Sequence, residues 1–210
     1  MATDLTLIAL RFGVMIASLS IHEAAHAAVA YALGDRTAQK QGRLSLNPLV
    51  HVDPIGTVLM PLVQAFTGIP TIGWAKPVPV DVEQFRPEIN RWRGLALVSA
   101  AGPLSNLLLA ITAAAFLAVA RPANGSSAFT VAFMAFLLNV GLFVFNLLPV
   151  PGLDGSRLLP SSLDGLQKRL QKYSGLVLLA IVAIPPVRDT LVGAPIRFVA
   201  TKILTGFGVL

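Results

Sequence analysis

Three long apolar runs, separated by short polar connections, dominate the pattern of the chain. The first extends from about Leu5 to Leu33, and the runs 94–120 and 128–150 contain no charged residue. At about 1.5 Å per residue, each run is long enough to cross the hydrocarbon core of a bilayer as a helix. The pattern therefore predicts a helical membrane protein that crosses the bilayer several times.

A fourth apolar stretch, 46–70, is interrupted by four prolines and two glycines. This density of helix breakers is typical of a re-entrant or broken helix whose open backbone groups are covered by protein. The next segment, 71–80, is expected to be short and extended, because Pro77 and Pro79 restrict the conformation of the residues before them.

The remaining apolar segments lie near the C-terminal end, where 175–187 is short for a crossing and 195–210 carries two basic residues. With the earlier runs they predict an all-α polytopic membrane protein, a bundle of about four to six transmembrane or re-entrant helices. We expect one domain over 1–210, with its core in 5–160 and C-terminal hydrophobic segments in 173–210.

The composition strengthens the membrane assignment. Hydrophobic residues make up 55% of the 210 residues and charged residues only 12%, against about 25% charged in typical soluble domains. The absence of cysteine excludes disulfides, thiolate metal sites and cysteine nucleophiles. The net charge of +6 comes from basic residues in the short connections, so membrane topology explains it better than nucleic-acid binding. We therefore expect a lipid bilayer as a partner and no nucleic acid.

The motif HEAAH, at 22–26, is the most specific chemical signal and interrupts the first apolar run. Residues four apart lie one helical turn apart on the same face, so His22 and His26 can bind one zinc ion together. Glu23 is next to the first histidine and can act as a general base toward water at that site. A chance pair of surface histidines is the alternative, but an ionisable glutamate is costly inside a membrane and is usually functional there.

A catalytic zinc site has three protein ligands and one open position. Since the chain lacks cysteine, the third ligand must be His51 or a carboxylate. Asp154 is the favoured candidate, because it follows an uncharged span in a sequence whose prolines and glycines can turn the carboxylate back into the bundle. A simple turn aspartate is the alternative interpretation. His51 and Asp53 remain the reserve candidates.

The proposed ligand set restricts the topology. If His22, His26 and Asp154 meet, the first helix and the span before Asp154 must run in the same direction. The span 94–120 supplies one reversal, so 46–70 must cross the membrane twice or not at all. Three connections would then share one face, and each carries net positive charge, which indicates the cytoplasmic side and an external N-terminus. These connections are 34–45, 70–93 and 151–172.

Two asparagines lie in or near the spans, where an amide normally needs a hydrogen-bond partner. Asn106 follows Gly102 and Pro103, where a small residue and a kink allow close approach, and could donate to the oxyanion of a tetrahedral intermediate. For Asn146, eight residues before Asp154, hydrogen bonding between helices is as good an explanation as a role in the site.

With HEAAH in the first span and LDG after a later one, the chain resembles the site-2 protease family of intramembrane zinc metalloproteases. The resemblance is to the short bacterial and archaeal type, without a PDZ or CBS domain, and covers roughly residues 18–160. In the last motif this chain has Gly152 where the family often has proline. The matching stretches are GRLSLNPLVHVDPIGT, GWAKPVPV, AGPLSN and NLLPVPGLDGSRLL.

This resemblance implies a zinc site made by His22, His26 and Asp154, with Glu23 as the base and Asn106 near the reacting carbonyl. It also implies an endopeptidase that hydrolyses transmembrane protein substrates within the membrane, near the cytoplasmic face. We expect one zinc ion per chain and a multi-pass protein of a prokaryotic plasma membrane.

A non-enzymatic membrane zinc carrier or sensor is the alternative function. A carrier needs a polar path through the bilayer, and apart from the one site the spans offer almost no ionisable residues. The sequence therefore favours the protease. Nothing in the sequence indicates an oligomeric state.

Overall fold

The structure, a computed structural model, describes residues 2–68 and 73–209. The described residues are mainly helical and contain no β-strand. In chain order, the α-helices are α1 (Ala2–Ala32), α2 (Thr37–Lys40), α3 (Met60–Thr67), α4 (Arg91–Ala120), α5 (Ser127–Asn146), α6 (Asp154–Arg157), α7 (Asp164–Leu170), α8 (Ser174–Ala183), α9 (Pro185–Arg188) and α10 (Ala194–Gly206). Short 3₁₀ turns occur at Pro48–Val50, Val82–Gln84, Ser161–Leu163 and Gln171–Tyr173, and π-helical turns at Pro54–Leu59 and Asp189–Gly193.

Helices α1, α4 and α5 are each long and apolar enough to cross a membrane, α1 doing so over Leu5–Ala32. A fourth candidate is a bent pair, Ser161–Ala183 and Pro185–Gly206, whose halves meet at 92°. The described part of the chain thus has three candidate spans, or four if the bent pair counts as one. The prediction of an all-α helical membrane bundle is confirmed.

The ends of the long helices follow from local sequence. Gly34 has φ +112°, and the backbone N–H groups of Gly34 and Asp35 donate back to Tyr31 and Ala30, which ends α1 in a Schellman motif. The side chains of Asn90 and Ser126 accept hydrogen bonds from the first turns of α4 and α5.

The interrupted stretch 46–70 contains no spanning helix in its described part. Asp53 caps the π-helical turn by accepting from Ile55 and Gly56 N–H, and α3 is terminated by Gly68, the residue after its end, whose φ is +70°. The resulting apolar helix, Pro54–Gln64, is too short to cross a bilayer alone. This agrees with a broken or re-entrant segment. Residues 69 and 70 lie outside the described residues.

The segment predicted to be extended is described from residue 73 onward, since residues 71 and 72 lie outside the described ranges. Residues 73–80 form neither a helix nor a strand ladder. Their backbone is tied to the preceding turns, because Trp74 N donates to Gly56 O at 3.2 Å and Lys76 N to His51 O at 2.9 Å. The segment therefore lies against the broken helix.

Helix α4 packs between α1 and α5. Ala110 and Ala114 of α4 are fully buried against Phe136 and Val140 of α5, so small side chains bring these two helices close together. Helix α10 joins the same hydrophobic cluster through Ala200 and Leu204.

The contacts along this bundle fix the helix directions. Going along α1 from His22 to His26, the α4 partners run from Asn106 back to Val98, so α4 is antiparallel to α1. The C-terminal end of α5 leads to Asp154, which lies beside His22 and His26 in the C-terminal half of α1. Helix α5 therefore runs parallel to α1. The parallel arrangement expected from the sequence is confirmed.

Candidate metal centre

Three side chains predicted as metal ligands converge on one point, where α6 meets α1 and α4. The Nε2 atoms of His22 and His26 are 3.1 Å apart, and each is 3.3 Å from Oδ2 of Asp154. Both histidines are buried, and Asp154 is largely so. Among the described residues, these three form the candidate metal-binding cluster of histidine and carboxylate groups.

The separations match what a tetrahedral ion requires. Zinc–ligand bonds of about 2.0–2.1 Å place the corners of a tetrahedron about 3.3 Å apart. The three ligand atoms form a nearly equilateral triangle with sides of that length. Two imidazole nitrogens and one carboxylate oxygen are also a donor set that zinc prefers, so the residues present fit a zinc ion.

The imidazoles are oriented through their other nitrogen atoms. His26 Nδ1 donates to the backbone carbonyl of Val98 at 2.7 Å. Because a carbonyl can only accept, the proton of this ring lies on Nδ1 and Nε2 is left for a metal. His22 Nδ1 lies 2.6 Å from Oδ1 of Asn106.

Helix α4 approaches the two histidines at Gly102, where a side chain would not fit. A Cβ atom at this position would lie 2.3 Å from Nε2 of His26 and 2.6 Å from Nε2 of His22. The next residue, Pro103, has no N–H to donate to the carbonyl one turn earlier, so the helix is also locally weakened here. The close approach of α4 thus depends on glycine.

Asp154 is brought to the histidines by the sharp chain reversal after α5. Gly152 has φ +101°, a conformation that proline cannot adopt, so the glycine that departs from the usual family pattern sets the turn in this chain. Gly155 packs against the end of α5, since a Cβ there would lie 2.2 Å from the Leu147 carbonyl oxygen. The Asp154 carboxylate and the Nε2 lone pairs of both histidines thus face one another, an arrangement that suits a cation between them.

Glu23 lies in the same buried region, with an exposed fraction of 8%. Its Oε2 accepts a hydrogen bond from Val78 N at 2.8 Å. Glu23, the two histidines and Asp154 all line a cavity of about 370 Å³. The segment 73–80 contributes Trp74, Pro77 and Val78 to its wall. The arrangement places a carboxylate in the same cavity as the candidate metal site.

The reserve ligands from the sequence occupy other places. His51 is buried, but its Nε2 donates to the Ser45 carbonyl at 2.8 Å, and its backbone carbonyl accepts from Lys76. Asp53 caps the π-helical turn. Neither belongs to the cluster with His22 and His26. Asp154 is therefore the third member, as the sequence favoured.

Asn106 is fully buried. It does not line the cavity that the described residues form. Its Nδ2 donates to Oδ1 of Asn139 at 2.8 Å, while its Oδ1 faces His22. The structure thus gives Asn106 a contact with a candidate ligand, and a contact with a reacting carbonyl stays a prediction. Asn146 lines the cavity, and its Nδ2 donates to the Leu142 carbonyl one turn earlier on its own helix.

Sequence reasoning missed three groups that touch the site residues. The Val98 carbonyl and the Val78 N–H belong to the backbone and have no signal in the sequence. Asn139 did have a signal, because it is a polar amide in an uncharged span, the same pattern that drew notice to Asn106.

Two histidines and a glutamate on a candidate membrane span, completed by an aspartate that follows another span, define a membrane zinc metalloprotease. Comparison with known proteins gives the same class. The profile of Peptidase family M50 matches residues 120–184, which include Asp154 but not HEAAH. The chain is 43% identical over 183 residues to the protein named "Putative zinc metalloprotease YwhC" of Bacillus subtilis, covering 81% of this chain and 78% of the relative. The chain belongs to the M50 peptidases, the site-2 protease family.

Mycobacterial relatives carry the same description under the name Rip2. The protein of Mycolicibacterium smegmatis is 33% identical over 177 residues, or 80% of this chain and 64% of the relative. That of Mycobacterium tuberculosis H37Rv is 36% identical over 141 residues, or 67% of this chain and 52% of the relative. This chain thus spans less than two thirds of either mycobacterial protein. No solved structure matches the chain significantly.

Proposed function

We propose that this membrane zinc metalloprotease is an endopeptidase that hydrolyses transmembrane proteins within the bilayer, near its cytoplasmic face. The observation that carries the proposal is the triangle of His22, His26 and Asp154 beside Glu23, whose histidines and glutamate lie within the spanning part of α1. Ionisable groups are costly at membrane depth. A hydrolytic site placed there is useful for peptide bonds that lie at that depth.

In this proposal His22, His26 and Asp154 hold one zinc ion per chain. Zinc, when bound, supplies a Lewis acid that polarises a carbonyl group and lowers the pKa of water. The single cluster found among the described residues supports the stoichiometry. Membership of a protease family favours this enzyme over the carrier or sensor that the sequence left open.

Glu23 is the general base in this proposal. Its carboxylate takes a proton from the attacking water, whose oxygen then bonds to the carbonyl carbon of the scissile peptide. As the carbon–nitrogen bond breaks, Glu23 passes the proton to the leaving amine. The hydrogen bond from Val78 N holds one oxygen of the carboxylate, which supports a fixed orientation of the other toward the cavity.

The substrate has to be unwound before cleavage, because a helical peptide bond is shielded by its own hydrogen bonds. We propose that segment 73–80 binds the unwound substrate as an added strand through its backbone. The position of this segment in the cavity wall, beside Glu23, supports that role.

The proposed site of action is the plasma membrane of a prokaryote. Positive charge in the connections on the side of the metal centre supports a cytoplasmic location for that face. The bacterial origin of the relatives supports the prokaryotic assignment.

The test is to map the cleaved bond in a single-span test protein reconstituted with the enzyme in liposomes. We expect mass spectrometry to find new termini inside the apolar segment, toward its cytoplasmic end. Chelation of zinc should abolish the products and added zinc should restore them, while Asp154→Ala should stay inactive under both conditions. Cleavage confined to the water-exposed parts of the test protein would overturn the proposal.

A further inference from the structure

A series of hydrogen-bonded side chains connects Ser18 to His22 through Asn139 and Asn106. Asn139 Nδ2 donates to Ser18 Oγ at 2.9 Å and to the Ala135 carbonyl at 2.8 Å. Asn106 Nδ2 donates to Asn139 Oδ1 at 2.8 Å, and Asn106 Oδ1 lies 2.6 Å from His22 Nδ1. Ser18, Asn106 and Asn139 are 3%, 0% and 1% exposed. These hydrogen bonds therefore join α1, α4 and α5 through side chains that are almost fully buried.

The direction of every hydrogen bond in this series follows from the contact farthest from His22, between Asn139 and the Ala135 carbonyl. The Ala135 carbonyl can only accept, so the Asn139 amide must turn its nitrogen toward α5's own backbone and its oxygen toward Asn106. Asn106 must then present its nitrogen to Asn139 and its oxygen to His22. His22 can satisfy that oxygen only with a proton on Nδ1. A neutral ring with this proton has its lone pair on Nε2, the atom that faces His26 and Asp154.

We propose that Asn106 and Asn139 are positioning residues that fix the tautomer and ring orientation of His22 for metal binding. The inference rests on the proposed role of His22 as a zinc ligand. This role is distinct from packing between helices, because both amides must be oriented so that His22 keeps its proton on Nδ1. In metal sites, groups that hold the second nitrogen of a histidine ligand commonly affect metal affinity by about 10–100-fold.

The two histidines differ in how they are held, and that difference makes the proposal testable. His26 is held by the backbone carbonyl of Val98, which a side-chain substitution leaves in place. His22 is held by a side chain that a substitution can remove. A variant that removes the acceptor at position 106 should therefore disturb one ligand and leave the other two intact.

The experiment compares Asn106→Leu with Asn106→Asp in detergent-purified protein. Leucine has the branched shape and the number of non-hydrogen atoms of asparagine but offers His22 no acceptor, so we expect zinc affinity, measured by chelator competition, to fall about 10–100-fold. Aspartate keeps an acceptor for His22 Nδ1 but cannot donate to the Asn139 oxygen, so we expect a smaller loss of affinity than in Asn106→Leu. The visible spectrum of the cobalt-substituted protein should change in Asn106→Leu and stay near native in Asn106→Asp.

Asn139→Leu tests the hydrogen bond one step farther from the metal, between Asn139 and Asn106. It should weaken zinc binding less than Asn106→Leu, because the Asn106 oxygen remains but its orientation is no longer fixed. In the Asn106→Asp background the same change should have almost no effect, since a carboxylate does not need Asn139 to orient it. The comparison of Asn139→Leu in the native protein with Asn139→Leu in Asn106→Asp remains decisive even if Asn106→Leu does not fold.

Ser99→Ala is the matched control. Ser99 is a fully buried polar residue of α4 whose Oγ has no hydrogen-bond partner among the described residues. We expect native zinc affinity in this variant. Native affinity and cobalt spectra in Asn106→Leu and Asn139→Leu would overturn the inference and leave the amides as contacts between helices. If the native protein binds zinc no better than His26→Ala, the proposed ligand set itself fails, and the inference with it.

Discussion

At the scale of single residues, Gly102 shows how much of the site depends on the absence of a side chain. The three candidate ligands come from α1 and α6, while α4 meets their Nε2 atoms with the bare backbone of Gly102. A methyl group at position 102 would occupy nearly the space in which the two Nε2 atoms face their metal.

Gly102→Ala is therefore expected to weaken zinc binding while leaving the helices formed. Forcing a methyl group into a packed site costs about 1–3 kcal/mol, which corresponds to a loss of affinity of about 5–150-fold. Chelator competition measures the affinity, and circular dichroism measures the helix content. Gly13→Ala in α1 is the control, because a Cβ there has no neighbour within 4 Å. Equal zinc affinity in both variants would show that α4 does not lie against the histidines as described.

At the scale of elements, segment 73–80 is held in place by groups distant in sequence. The buried side chain of Arg43 donates through Nη2 to the Lys76 carbonyl at 2.5 Å and lies 3.4 Å from the Pro77 carbonyl. The same segment donates to Glu23 through Val78 N. The linker after α1 thus fixes the segment that touches the proposed base.

Arg43→Gln should loosen this segment without removing the metal. Hydrogen bonds from charged groups contribute about 1.5–3 kcal/mol, so we expect about 10–100-fold faster hydrogen exchange at the amides of Lys76 and Val78. Zinc content should be unchanged and proteolysis reduced. Arg36→Gln, at an exposed position of the same linker, should leave exchange at both amides unchanged. Unchanged exchange in Arg43→Gln would show that Arg43 does not hold the segment.

At the scale of the whole molecule, the metal centre requires α1 and α5 to run in parallel with α4 reversed between them. This arrangement puts the connection after α1, the segment 73–80 and the residues after α5 at one end of the bundle. The connection between α4 and α5, residues 121–126, lies at the other end. Each end should face one side of the membrane.

Single cysteines in this cysteine-free chain test the orientation. Lys40→Cys, Lys76→Cys and Lys168→Cys should resist an impermeant thiol reagent added outside, because these exposed positions are predicted to be cytoplasmic. Asn124→Cys, exposed between α4 and α5, should react from outside and is the matched control. External labelling at positions 76 and 168, with position 124 protected, would mean that the stretch 46–70 crosses the membrane once and would contradict the geometry of the metal centre.

Much of this arrangement could be predicted from the sequence because its signals are local. The uncharged runs identify the spans, and the i, i+4 spacing of His22 and His26 places both rings on one helix face. Asp154 could be singled out by its position after a span. The rest depends on distances between helices, which no local pattern encodes. The Val98 carbonyl, the Val78 N–H and the partner of Asn106 become visible only once α4 is packed against α1 and α5.

The most direct test of the account measures zinc and proteolysis on one preparation of Glu23→Gln. Glutamine is nearly the same size as glutamate and leaves His22, His26 and Asp154 in place, so zinc should stay bound. Because an amide cannot take the proton from water, the rate of cleavage of a transmembrane test protein should fall about 10²–10⁴-fold or more. That range is the usual contribution of general acid–base catalysis. Retained zinc with near-native cleavage would contradict the role of Glu23 as the base, and lost zinc would make it part of the metal site.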